Sequence, residues 1–214
     1  MENYLFDFDG TLADSEEAAQ LATKAAFQKV GLAAPTTDQI NYYMGIPIEV
    51  SFKAMAGEHR FTATEFEVLL NAFRQYYREF ESKHITLFDG MQSTLAQLVA
   101  EGKQLFVVSS KRSDSLMRNL QSLGIDQYFQ DVLGSDMVTA FKPAPDGVLA
   151  ILDKWHLNPA ESIMIGDAIF DLQMGKAAKV HTCGVTWGAH DVASLKAEKP
   201  DYLIQATTDL LKIK

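Results

Sequence analysis

The stretch YLFDFDGTLADS, Tyr4 to Ser15, decides how the rest of the chain is read. An apolar run, Tyr4 to Phe6, stops on Asp7; Phe8 intervenes, and a second carboxylate, Asp9, precedes Gly10. A continuous apolar run, as opposed to an alternating one, marks a strand buried on both faces. On an extended chain residues 7 and 9 share a side, where two carboxylates repel unless something positive lies between them.

Working outward, the same pattern recurs at Leu105–Val108, at Ser162–Ile165 and in the stretch through Val185, with a shorter edge-like run at Asp201–Ile204. Helical patterns fill the intervals: Gly90 to Glu101, Ser113 to Leu123 and Ala144 to Trp155. Strands alternating with helices predict an α/β fold with a doubly wound, mainly parallel sheet. Asn158, Pro159 and Glu161 form a helix-start signature before the 162–165 strand, and Gly102 and Gly124 read as helix ends. Residues 14–83 break the rhythm, with successive helical patterns and no convincing strand. Thr36 with Gln39 and Thr62 with Glu65 have capping-box spacing. Phe66, Leu69, Leu70, Phe73, Tyr77 and Phe80 form a stripe at helical spacing that reads as core packing. The expected organisation is a core of residues 1–13 and 84–214 with a helical module, 14–83, inserted after the first strand.

Composition excludes several classes. With 47% hydrophobic and 22% charged residues, no low-complexity tract and no repeat, the chain reads as an ordinary folded enzyme. No apolar stretch nears the roughly 18 residues that span a bilayer, and the N-terminus shows no secretory signal. Cys183 is the single cysteine, so no internal disulfide forms; a cytoplasmic location is expected. A net charge of -9 argues against nucleic acid as partner. An anionic substrate then needs local positive charge at its site.

Each principal strand run ends on a polar residue suited to chemistry: Asp7, Ser109, and Gly166–Asp167. Open parallel sheets bind ligands at the carboxyl ends of their strands, where these residues converge. Lys142, within FKPAP, precedes the third strand, and Asp171 follows Asp167 by four residues. Taken singly, Asp-X-Asp before glycine is a turn, a serine after a strand is a helix cap, and Lys before Pro is solvated. Together, in the order Asp, Ser, Lys, Asp, they form a set. Asp7, Asp9, Asp167 and Asp171 are too many carboxylates to gather without a cation, and oxygen ligands beside a phosphate site suit Mg²⁺.

DFDGTLADS, VVSSK, FKPAP and IGDAIFD resemble the four motifs of the haloacid dehalogenase superfamily of phosphohydrolases. The later segments GVTWG (184–188) and PDYLI (200–204) resemble its phosphoglycolate-phosphatase-like members, so the resemblance covers essentially the whole chain. It implies a Rossmann-like core with an all-helical cap. It also implies a Mg²⁺-dependent phosphatase that acts on a small phosphate monoester through an aspartyl-phosphate, with phosphoglycolate the leading candidate and sugar phosphates, nucleoside monophosphates and pyrophosphate open beside it. In that scheme Asp7 is the nucleophile and Asp9 the acid–base group; Ser109 binds a phosphate oxygen and Lys142 neutralises charge. Gly10, Thr11 and Ser110 contribute to substrate binding. Asp7, Asp9 (through its carbonyl), Asp167 and Asp171 make the metal site. Many relatives have Asn where this chain has Ser110. The expected partner is a small anionic phosphorylated metabolite, with no nucleic acid and no membrane, and the chain is a monomer or weak homodimer.

The rival readings are weaker. A sugar-phosphate mutase of the β-phosphoglucomutase type usually has His where this chain has Ala19 and Glu–Asp where it has Gly166–Asp167. Dehalogenation has no use for Asp9. A signalling receiver is about half this long, and its phosphorylated Asp does not lie in such a pair on the first strand. A phosphate-binding pseudoenzyme has no support while all four catalytic positions are filled. The five histidines show no metal-ligand spacing. In the insert Lys53, His59, Arg60, Arg74 and Arg78 could meet an anion but read equally well as a solvated face, and Gly45–Pro47 is expected to break the helices near the closing surface.

Overall fold

A computed structural model describes residues 1–214. The first strand, β1 (Asn3–Phe6), is buried along its whole length. It pairs in parallel with β4 (Gln104–Val108) on one side and β6 (Ser162–Gly166) on the other. The sheet is completed by β5 (Asp131–Leu133), β7 (His181–Val185) and β8 (Tyr202–Ile204), in the order β5-β4-β1-β6-β7-β8, every pair parallel. Neighbouring side chains on a strand enter opposite cores. Tyr4 and Phe6 join one cluster with Leu105, Val107, Ile163 and Ile165, whereas Leu5 joins another with Phe106, Val108 and Met164. Both faces are covered, which is why the runs are continuously apolar.

Helices α5 (Met91–Ala100), α6 (Ser113–Ser122), α7 (Asp146–Trp155), α8 (Ile169–Ala177) and α9 (Val192–Ala197) complete this α/β region. Gly102 and Gly124 take left-handed φ of 82° and 67° just beyond the ends of α5 and α6. The Asn158 side chain accepts from Ala160 N–H at 3.1 Å and starts a short 3-10 helix. Helix α7 begins at Asp146, two residues later than its apolar pattern predicts, because Ala144 N–H is bonded to Phe141 in a turn.

Between residues 15 and 85 the chain is helical: α1 (Glu16–Lys29), α2 (Thr37–Tyr42), α3 (Ile48–Met55) and α4 (Ala63–His84). Both capping boxes form; Thr36 and Thr62 each accept from the N–H three residues on, at 3.2 Å. Phe27, Phe52, Phe66, Leu69 and Leu70 build a separate small core, while Tyr77 on the same stripe belongs to the main one. Helix α4 therefore runs from one core into the other. Two short strands missed in the sequence, β2 (Ala13–Asp14) and β3 (Thr86–Leu87), pair antiparallel where the chain leaves and rejoins the sheet region. No helix is long and apolar enough to cross a membrane.

Candidate active site

The parallel register sets Phe6 beside Val107 and Ile165, so the residues that follow the three strands meet at one edge of the sheet. Asp7 and Ser109 continue the ladders, their N–H groups bonded to Ile165 and Leu133 at 2.9 Å. The chain then curls: Phe8 C=O accepts from the N–H groups of Thr11, Leu12 and Ala13. Gly10 takes φ 75° in this turn, and a Cβ there would collide with the Asp167 carboxylate. Gly188 is pressed against Asp167 and the Gly10 carbonyl in the same way.

Asp7, Asp167 and Asp171 are all buried, with oxygens within 4.8 Å of one another. Lys142 Nζ donates to Asp7 Oδ1 and to Asp171 Oδ1, each at 2.7 Å. Burial pushes the Asp7 carboxyl well above its usual range; Lys142 opposes this, and Asp171 and Asp167 add to it. Burial, reinforced by Asp171, raises Asp167 to about 7. Burial alone would lower the Lys142 ammonium, but Asp171 and Asp7 hold it above its ordinary value. Three carboxylates against one ammonium leave a formal deficit of two positive charges. Asp7 Oδ2 is buried without a partner. An orphaned carboxylate oxygen within an all-oxygen donor set fits a hard divalent cation.

Asp9 departs from the expected cluster. It lies beyond the end of β1, in the curl, so the two-residue strand period no longer governs its direction. Its Oδ1 accepts from Ser15 Oγ at 2.6 Å and from Lys111 Nζ at 2.7 Å. The side-chain carboxylate of Asp9 is therefore not part of the three-acid group. Asp171 has committed Oδ1 to Lys142 and Oδ2 to Ala168 N–H at 3.1 Å.

A cavity of about 130 Å³ opens from this edge of the sheet toward the helical region. Asp7, Asp9, Ser109, Ser110 and Lys111 line it from the sheet side; Tyr43, Met44, Ile46, Phe52, Phe73 and Arg74 are among the residues lining it from the helices. Arg74 is paired with Glu49 at 3.0 Å. Of the three residues expected to bind substrate beside the catalytic set, only Ser110 lines this cavity, and its hydroxyl donates to Gly45 C=O at 2.6 Å. Gly10 N–H is used by Ala13 C=O at 2.9 Å, and Thr11 Oγ1 donates to Asp167 Oδ1 at 3.1 Å. Both shape the turn and hold Asp167, which also accepts from Ala189 N–H at 2.7 Å. Trp187 Nε1 donates to Thr11 C=O at 3.1 Å.

Lys111, Tyr77 and Ser15 join the site without being among the residues expected there. The signal for Lys111 was available: a cation directly after the Ser109–Ser110 strand end, in a loop that must face the same site.

The chain matches the model of the haloacid dehalogenase-like hydrolases over residues 4–185. It is 32% identical over 214 residues to pyrophosphatase PpaX of Listeria monocytogenes serotype 4b (strain CLIP80459), an alignment covering 98% of this chain and 94% of that one. Among solved structures it resembles a predicted phosphoglycolate phosphatase from Haemophilus somnus 129PT, with TM-score 0.90 and 25% identity over 99% and 97% of the two chains. A hydrolase from Pseudomonas syringae gives TM-score 0.88 and 26% identity over the same shares. With the motif residues gathered at one sheet edge and a match spanning most of its length, this chain belongs to the haloacid dehalogenase-like hydrolase family.

Proposed function

We propose that this protein is a Mg²⁺-dependent phosphatase of small phosphate monoesters that works through an aspartyl-phosphate on Asp7, with residues 14–83 acting as a cap over the leaving group. The observation that carries this reading is the pairing of two differently furnished carboxylates on one cavity wall. Asp7 sits among acids and Lys142 with one oxygen unpartnered, and Asp9 sits apart with one oxygen pinned.

Asp7, Asp167 and the Asp9 carbonyl are the residues that would hold Mg²⁺, with Asp171 behind them. The ion supplies the positive charge that lets an anionic phosphate approach a carboxylate. The Asp7 carboxylate attacks phosphorus while the bond to the leaving oxygen breaks. Asp9 Oδ2 gives its proton to that oxygen; then, as a carboxylate, it takes one from the water that displaces Asp7 from phosphorus. Lys142 steadies the Asp7 side of the exchange, and Ser109, buried beside it, offers a hydroxyl to a transferring oxygen. The cap residues bound the leaving group, and the predominantly apolar helical wall, with Arg74 already paired to Glu49, favours a small organic group; phosphoglycolate is the first to try.

Inorganic pyrophosphate is the second reading, favoured by the naming of PpaX relatives. The discriminating experiment measures phosphate release from phosphoglycolate, a generic aryl phosphate and pyrophosphate, each with Mg²⁺ and with chelator. A monoester phosphatase gives its highest kcat/KM on an organic monoester, only with Mg²⁺, and Asp7→Ala abolishes it. A highest value on pyrophosphate overturns the monoester assignment; release that survives Asp7→Ala overturns the mechanism.

A further inference from the structure

We propose that Lys111 is the positioning residue for Asp9, and that it ties the acid–base carboxylate to the seating of helix α4. This inference rests on the acid–base role given to Asp9 above. An ammonium has three donors, and Lys111 uses all of them: Asp9 Oδ1 at 2.7 Å, Tyr77 OH at 2.6 Å and Asn119 Oδ1 at 3.0 Å. Its Nζ also lies 4.7 Å from the ring centres of Phe8 and Tyr77, where the ring faces attract a cation. No donor is left for a substrate phosphate, although the residue lines the cavity. Lys111 serves the protein, not the ligand.

The bonds from Ser15 and Lys111 both fall on Asp9 Oδ1. Turning the carboxylate would break both, so Oδ2 is held as the oxygen that faces the reaction. The Asn119 amide is oriented in turn, because its Nδ2 donates to Glu81 Oε2 at 2.9 Å while its oxygen faces Lys111. Tyr77 and Glu81 lie four residues apart on α4, one and two helical turns beyond the cavity-lining Phe73. One stripe of one helix thus carries a wall of the leaving-group cavity, the Tyr77 hydroxyl that holds Lys111 directly, and Glu81, which holds it through Asn119. A shift of α4 moves the acid–base group along with that wall.

The test uses leaving-group chemistry. An alkyl phosphate needs its leaving oxygen protonated; a p-nitrophenyl phosphate needs this far less. For Lys111→Gln we expect kcat/KM on an alkyl phosphate to fall about 10²-fold, as expected for a misplaced catalytic group. The fall on p-nitrophenyl phosphate should be at most about tenfold, with KM for both within about threefold of wild type. Asp9→Asn should show the same bias, larger. Equal losses on both substrates in Lys111→Gln, with the bias present in Asp9→Asn, overturn the positioning role and leave the mechanism intact. A tenfold or greater rise in KM with kcat retained overturns it in favour of a substrate-binding lysine. No bias in Asp9→Asn removes the acid–base reading itself, and this inference with it. Circular dichroism shows whether Lys111→Gln folds. If it does not, Tyr77→Phe decides, because it keeps the ring and the lysine and removes only one acceptor. A smaller loss with the same bias supports the proposal, and an unbiased or absent loss overturns it.

Discussion

Replacing Lys142 by methionine probes how the acidic cluster is held together. The Lys142 side chain is 4% exposed, and its ammonium lies 2.7 Å from both Asp7 and Asp171. Methionine fills much of the same volume and removes the charge, leaving three buried carboxylates with no counter-ion in the chelated protein. Breaking a buried ion pair from one side costs about 3–5 kcal/mol. A second route gives a similar figure. The cluster compensates by binding one further proton, and holding a proton on a carboxyl of ordinary pKa 3.8 costs about 1.4 kcal/mol per pH unit above that value. The cost is about 4 kcal/mol at pH 7 and under about 2 kcal/mol at pH 5. The sign follows from proton counting: the folded variant binds one more proton than the unfolded chain between the ordinary pKa and the raised folded one, so its stability falls as pH rises through that window. For a chain of this length each kcal/mol moves the melting temperature by about 2–4 °C. Thermal melts in EDTA, followed by circular dichroism, should show Lys142→Met about 8–16 °C below wild type at pH 7 and about 3–6 °C below at pH 5. A loss of the same size at both pH values, or melting within about 2 °C of wild type at pH 7, refutes the reasoning.

Replacing EDTA by Mg²⁺ at a hundredfold excess over its Kd should stabilise the wild type by about 2.7 kcal/mol, read as a rise of roughly 5–10 °C in Tm. Asp167→Asn should lose that rise; an equal rise in both proteins contradicts the assigned ligands. His190 is buried between Tyr42, stacked at 6.1 Å, and Phe170, edge-on at 5.6 Å, and burial lowers its pKa. The unfolded chain takes up that proton first, so this contribution to stability is complete above about pH 6.5 and drains away as pH falls toward the lowered value. His190→Phe should flatten the decline in Tm across that window relative to wild type, and an unchanged slope counts against the assignment.

How far these features were legible in the sequence depends on their length and locality. Strands β1, β4 and β6 are continuous apolar runs ending on Asp7, Ser109 and Asp167, and parallel pairing alone then brings those ends together. The capping boxes at Thr36 and Thr62 were equally plain, being local chemistry. Strands β2, β3 and β5 have two or three residues, too few to show a period, and exist because neighbours offer them partners. The direction of Asp9 is hidden because it lies in a turn whose hydrogen bonds, three onto Phe8 C=O and one from Gly10 N–H to Ala13 C=O, cannot be inferred from spacing. Lys111 is visible as a cation directly after a strand end, but the residues that surround it, Phe8, Tyr77 and Asn119, are distant in sequence. Tyr77 does pack its ring in the core, as the stripe predicts, but a periodicity of apolar faces says nothing about a hydroxyl at the ring's tip. Gly45 carries the same lesson: the helix break was visible, while its carbonyl bond to Ser110 belongs to the tertiary fold.

In the proposed mechanism Asp7 becomes covalently phosphorylated during turnover. The most direct measurement quenches the enzyme with acid during steady-state hydrolysis, reduces it with borohydride and maps the peptides by mass spectrometry. Reduction converts an aspartyl-phosphate to homoserine. Homoserine is expected at position 7 alone, dependent on both substrate and Mg²⁺. Unmodified Asp7 in a working enzyme quenched at substrate saturation under conditions where a reference acyl phosphate is reduced, or conversion at Asp9 instead, would contradict it.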